Sequence, residues 1–191
     1  MGYPPGVRAP QMRVFPAALA TVAVAAALAS AGCGGNGSPA TDGPLNGPFG
    51  TPGGHFVCAV ARVGHPFAFG LDTFTNHGHA TVVLDRVALL HPRRERLIGS
   101  YAVPGVHILG AQPWPPVHGL PPTWKDRQAV HEFRLAPGKT FNMVLTVVAT
   151  ASGRTISQGM RIYYHDTAGS SYLAFDHNKM IIVTAEQDRC H

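Results

Sequence analysis

From His55 onward the apolar residues of this chain recur at every second position in short runs, and turn residues break the runs about every ten residues. That period belongs to strands, and no helical pattern of useful length competes with it. Phe56, Cys58 and Val60 alternate with smaller residues. Phe67, Phe69 and Leu71 do the same; Phe74 then falls out of phase, which predicts a bulge near Gly70. Asn76-His77-Gly78 is a turn signal. The run Ala80–Leu90 is apolar on both faces, as a central strand requires, and Leu97–Val103 forms another short strand. Val130–Leu135 sets Phe133 and Leu135 against Glu132 and Arg134. Ala136-Pro137-Gly138-Lys139 turns into Thr140–Thr150, where Phe141, Met143, Leu145 and Val147 face inward. After a turn at Ser152-Gly153-Arg154, Met160, Ile162 and Tyr164 alternate with Arg161, Tyr163 and His165; Tyr172–Phe175 and Met180–Ala185 complete the set. Seven to nine short strands of this kind predict an all-β, antiparallel sandwich.

The N-terminus has a different character. Arg8 and Arg13 precede an Ala/Val-rich stretch from Val14 to Leu28, and no acidic residue occurs before Asp42. The stretch has the length of a signal-peptide apolar region and falls short of a comfortable membrane span. It closes on Ala29-Ser30-Ala31-Gly32-Cys33, a run that resembles the lipobox of bacterial lipoproteins, with Ser30 where Leu is commonest. The resemblance implies that residues 1–32 are a lipoprotein signal peptide and that the Cys33 thiol carries a diacylglyceryl group. The protein would then sit on the extracytoplasmic face of the cell membrane, held by lipid. Two acyl chains anchor stably where one does not. An ordinary secretory signal and an uncleaved apolar anchor remain as other readings. Residues 33–54, rich in Gly, Pro, Ser, Thr and Asn, read as a flexible tether that spans roughly 25 Å as a coil.

About 160 residues follow the signal, enough for one domain with a real core, placed at 55–191. Abundant Ala, Gly and Pro, with Arg far above Lys, resemble the exported proteins of high-GC bacteria such as actinobacteria. The net charge of +5 includes Arg8 and Arg13, so the mature chain is only mildly basic. The cluster Arg93-Arg94-Glu95-Arg96 reads as solvated surface, with a contact to anionic lipid or a cell-wall polymer as the minor reading. Nucleic acid is not an expected partner. With Cys33 lipidated, Cys58 and Cys190 are left, and an even remainder in an oxidising compartment reads as a disulfide. Such a bridge requires Cα atoms about 5–6 Å apart, so the first strand and the C-terminus must be neighbours. Two free thiols available to a metal are the alternative.

Thr75-Asn76-His77-Gly78 and Leu135-Ala136-Pro137-Gly138-Lys139 resemble turns of immunoglobulin-like domains in bacterial exported proteins. The resemblance covers most of 55–191 and implies a fold without an activity.

Two constellations invite a functional reading. Among eleven histidines, His77 and His79 form an H-x-H pair that an extended backbone would direct to one side, as copper or zinc sites use. A third ligand would come from His55, His65 or His165, or from Met143, Met160 or Met180 for copper(I). The bland reading is scattered surface histidine. The second constellation is Gln112–Trp124, which holds five prolines together with Trp114 and Trp124. It suits a binding loop for an envelope protein or cell-wall partner; otherwise it crosses between sheets and its rings cap the core. No catalytic signature is present: no nucleophile elbow, P-loop, HExxH or Cys–His arrangement. His165-Asp166 and Asp176-His177 are adjacent pairs that read as turn residues. The expectation is a binding module with neither enzymatic activity nor cofactor, or else a histidine-based metal-binding protein.

Overall fold

The computed structural model describes residues 41, 43–46, 56–184 and 190. All belong to the second of two units, Met1–Asn36 and Gly37–His191. The signal segment, Cys33 and most of the stretch read as a tether lie outside the described residues.

Thirteen strands follow in order: β1 (Leu45–Asn46), β2 (Phe56–Val60), β3 (Phe67–Asn76), β4 (Val82–Leu89), β5 (Glu95–Pro104), β6 (Gly110–Pro113), β7 (Gln128–Ala129), β8 (Arg134–Leu135), β9 (Thr140–Ala149), β10 (Arg154–Ser157), β11 (Met160–Asp166), β12 (Ser171–Asp176) and β13 (Lys179–Val183). A 3-10 turn, Pro122–Asp126, precedes β7. The largest sheet runs β1-β3-β9-β5-β7, with β6 also paired to β3. A four-stranded sheet runs β12-β11-β4-β8, and a three-stranded one β10-β13-β2. One core gathers Phe69, Phe74, Phe141 and Leu145 from the first sheet, Leu84 and Ile162 from the second, and Ile182 from the third. The fold is thus an all-β sandwich of the immunoglobulin-like class. Every pairing is antiparallel except β2 with β13.

Most of the strand assignments rest on simple alternation. In β11, Met160, Ile162 and Tyr164 are buried while the residues between them are half exposed. The bulge expected near Gly70 is present: the β3–β9 register shifts between Phe69 and Asp72, which returns Phe74 to the core side. There Phe74 stacks on Phe141 with ring centroids 5.6 Å apart. Asn76 organises the next corner. Its Oδ1 accepts from Gly78 N at 2.9 Å, and its Nδ2 donates to Ala80 O and Leu135 O.

Four expectations need correction. The strand count rises from seven to nine up to thirteen among the described residues, because β1, β6, β7 and β10 are pieces of two to four residues, too short to show a period. Within Val130–Leu135 only Arg134–Leu135 is strand; Phe133 N donates to Val130 O, and Glu132 has a positive φ of 66°, so the segment is mostly turn. Phe133 and Leu135 are nevertheless buried and Glu132 and Arg134 exposed, as expected. In β2 the larger residues face out: Phe56 and Val60 are 64% and 68% exposed, and Ala59 is buried. Last, Leu45 lies within the stretch read as tether, yet it is buried and pairs with Asn76. Its N–H donates to the buried Tyr164 hydroxyl oxygen at 3.1 Å.

Cys58 and Cys190 are bonded, with Cα atoms 5.6 Å apart and a sequence separation of 132. The parallel register Ile181↔Cys58 brings β13, and with it the C-terminal end of the domain, alongside β2. The core, the sheets and this bridge all fall inside Gly37–His191, so that unit has what an independently folding domain needs. Replacing both cysteines by alanine should cost about 3–5 kcal/mol, the range for closing a loop of this length. Urea unfolding of the two forms measures it; equal midpoints would show that the bridge adds nothing.

Candidate functional site

Strand β9 is buried along nine consecutive residues, so the large sheet has apolar side chains on both faces. On the outer face Ala68, Val103, Leu109 and Val144 form a second, smaller cluster, covered by Tyr101, Trp114 and Trp124. Leu109 can seat there because residue 70 is glycine: a Cβ at that position would lie 2.7 Å from Leu109 Cβ. Tyr101 and Trp114 stack at 5.0 Å between centroids with planes 14° apart, and Trp124 meets Trp114 edge-on at 6.2 Å. The Arg127 guanidinium lies 4.8 Å from the Trp124 ring centre, and Nη1 of the same group donates to Trp124 O at 3.1 Å. Both tryptophans are half-buried. They cap a core, as one expectation had it, but a subsidiary core outside the sandwich.

Around these rings two loops are fastened together. Gln112 uses both ends of its amide: Nε2 donates to Leu109 O and His118 O, and Oε1 accepts from Val117 N and His118 N. His107 Nε2 lies 3.1 Å from Gly119 O, linking the β5–β6 loop to the proline-rich loop. The tied loops present Val106, Ile108, Val117 and Leu120 to solvent, with Val106 77% and Val117 67% exposed. No carboxylate occurs between Glu95 and Asp126. An apolar, carboxylate-free surface on braced loops is suited to contact.

The histidine pair is placed differently. His77 and His79 are exposed on either side of Gly78, in the Asn76 corner. Among the described residues no three His, Cys, Asp or Glu side chains converge to hold a metal. His165 Nδ1 sits 2.9 Å from Asp85 Oδ1, and Met143, Met160 and Met180 are buried in the main core. His55 lies outside the described residues. The adjacent acid–histidine pairs, read as turn residues, sit at strand ends instead: His165 and Asp166 close β11 and Asp176 closes β12. The aspartates bond the turns that follow, Asp166 Oδ1 accepting from Ala168 N and Ser170 N and Asp176 Oδ1 from Asn178 N.

One polar cluster escaped the sequence reading. The Asp72 side chain, in the β3 bulge, meets Asp176 and accepts from Asn178 Nδ2, while Asn142 Nδ2 donates to Asp72 O at 2.9 Å. Burial first, then the hydrogen bond and charge of Asp176, push the Asp72 carboxyl up to about 8; the Asn178 amide opposes them. Asp72 and Asp176 come from strands far apart in sequence, so no local spacing marks them.

The class this geometry defines is an all-β sandwich domain with a lateral apolar surface. No family model matches the chain, and no curated protein does. Among solved structures it is similar to the VesB protease of Vibrio cholerae, at 11% identity and a TM-score of 0.37 over 74% of this chain. That match spans 32% of the protease chain, about a third of its length. It is also similar to the ASH/PapD-like domain 7 of human CEP192, at 10% identity and a TM-score of 0.40, covering 94% of this chain and 100% of that one. Neither likeness bears on activity.

A carboxyl whose pKa is raised on folding favours the native state below its unfolded value, and that favour is lost as pH rises through the folded value. The Asp72 contribution should therefore be complete below pH 3.8 and disappear towards about 8. Asp72→Asn should raise the melting temperature at pH 8 and flatten its decline with pH. An unchanged slope in the variant would remove Asp72 as the cause.

Proposed function

We propose that this chain is a lipoprotein anchored through Cys33 on the extracytoplasmic face of the cell membrane. Its sandwich acts as a non-catalytic binding module at the cell envelope. The observation that carries the reading is the braced surface of Val106, Ile108, Val117 and Leu120 around the Trp114–Trp124 pair. Single exposed apolar residues are common on any protein, but four on two loops tied together by hydrogen bonds, one of them carrying the half-buried tryptophans, favour a contact role. The rings supply the kind of anchor that dominates binding energy at interfaces. The Cys58–Cys190 bridge supports an oxidising compartment, where disulfides persist. The partner this surface fits is an envelope protein or a cell-wall component with an apolar patch of its own.

Two experiments test the reading. The Val106→Ser/Val117→Ser variant changes only exposed side chains, so it should melt like the parent while losing most envelope capture in a pull-down. Retained capture would move the contact elsewhere. Metabolic labelling with a palmitate analogue should mark the wild-type protein and leave Cys33→Ala unlabelled. Equal labelling of both would end the lipoprotein reading.

A further inference from the structure

At the end of β9 remote from the Asn76 corner, three connections crowd together. Residues 61–66 join β2 to β3, His91–Arg94 lead from β4 into β5, and residues 150–153 lead from β9 into β10. Backbone bonds fasten them to one another. Arg93 N donates to Ile156 O at 2.7 Å, and Ile156 N returns a bond to Arg93 O. Thr150 N donates to Arg94 O at 2.8 Å, and Gly64 N to Ala149 O at 2.9 Å. The Arg94 guanidinium reaches Ser152 O at 3.4 Å. Arg62, Arg93, Arg94, Arg96 and Arg154 therefore ride on one end of the domain, all exposed.

Among the described residues no carboxylate pairs with these charges; the ion pairs are His131–Glu132 and His165–Asp85, both elsewhere. The carboxylate within the cluster, Glu95, turns inward: it is 7% exposed and accepts from Thr155 Oγ1 at 2.7 Å. Burial holds its pKa above the ordinary carboxylate value, opposed by its hydrogen bonds. His91 and Arg94 hold positive φ angles of 45° and 58°, where glycine would sit without strain. A groove of about 400 Å³ opens beside them, lined by His91, Pro92, Arg93 and Gln158, whose polar side chains supply mostly donors.

We propose that this end of the sandwich binds a ligand bearing several phosphate groups in series. Guanidinium forks match phosphate oxygens two at a time, and a phosphate accepts from more directions than the planar carboxylate does. Clustered arginines on separate, cross-braced turns suit a chain of such groups better than a single anion. A soluble phosphate polymer and the phosphodiester headgroups of an anionic membrane offer the same chemistry. The assignment depends on neither the tryptophan surface nor lipidation of Cys33.

The test uses the Gly37–His191 domain, which holds its own core and disulfide. Its probes are linear polyphosphate and phosphatidylglycerol vesicles at low salt. Arg93→Gln/Arg154→Gln should weaken binding about tenfold or more, on the scale of two surface arginines facing an anionic layer. The charge-matched control Arg134→Gln/Lys139→Gln lies near the far end of β9, roughly 30 Å away, and should change little. Retention on polyphosphate alone assigns a soluble polymer, and retention on vesicles alone assigns headgroups; either supports the site. Absence of binding to both probes, or equal loss in the two double variants, overturns it.

Discussion

The nine buried residues of β9 leave that strand without a wet face, and two separate assemblies follow from this. Phe141, Met143, Leu145 and Val147 point into the main core, where Phe141 meets both Phe74 and Phe133. Val144 points the other way and seeds the cluster that Tyr101 and the two tryptophans cover. A strand apolar on both sides has to be covered twice. The sandwich supplies one cover, and the proline-rich connection after β6 supplies the other. The contact surface on that connection is thus a by-product of burying a central strand, and its loops inherit the rigidity of the sheet beneath.

Much of this was legible in the chain, for identifiable reasons. The loss of phase between Leu71 and Phe74 marked a bulge, because a pleated strand cannot change faces without one extra residue. Asn76-His77-Gly78 marked a corner, because an Asn side chain can bond a backbone N–H two residues on. The alternation in β11 passed directly into burial. Where the reading erred, tertiary context decided. Phe56, Cys58 and Val60 form a regular pattern, yet β2 is an edge strand whose inner contacts are made by Val57 and Ala59. Nothing in a five-residue period says which side the sheet will cover. Leu45 was hidden by its setting of glycines and prolines.

The candidate sites divide the same way. Trp114 and Trp124 were legible because large rings among prolines are conspicuous, although Gln112, which braces their loop, was not. Its role depends on four backbone groups that only the folded loop brings within reach. Asp72 and Asp176 illustrate the limit more sharply, since two carboxyls on distant strands share no local signature. The arginine cluster was visible as a run, but its reinforcement by Arg154 depends on the isolated bridge between Arg93 and Ile156.

The covalent link between Cys58 and Cys190 encloses nearly every loop of the domain, including the proline-rich one. A protease that nicks the exposed residues 117–120 would leave two fragments still joined, and still packed across β9. Cleavage there would go unseen on a non-reducing gel and emerge only when thiol is added. On the proposed anchoring at the cell envelope, such a molecule would be cut without being shed.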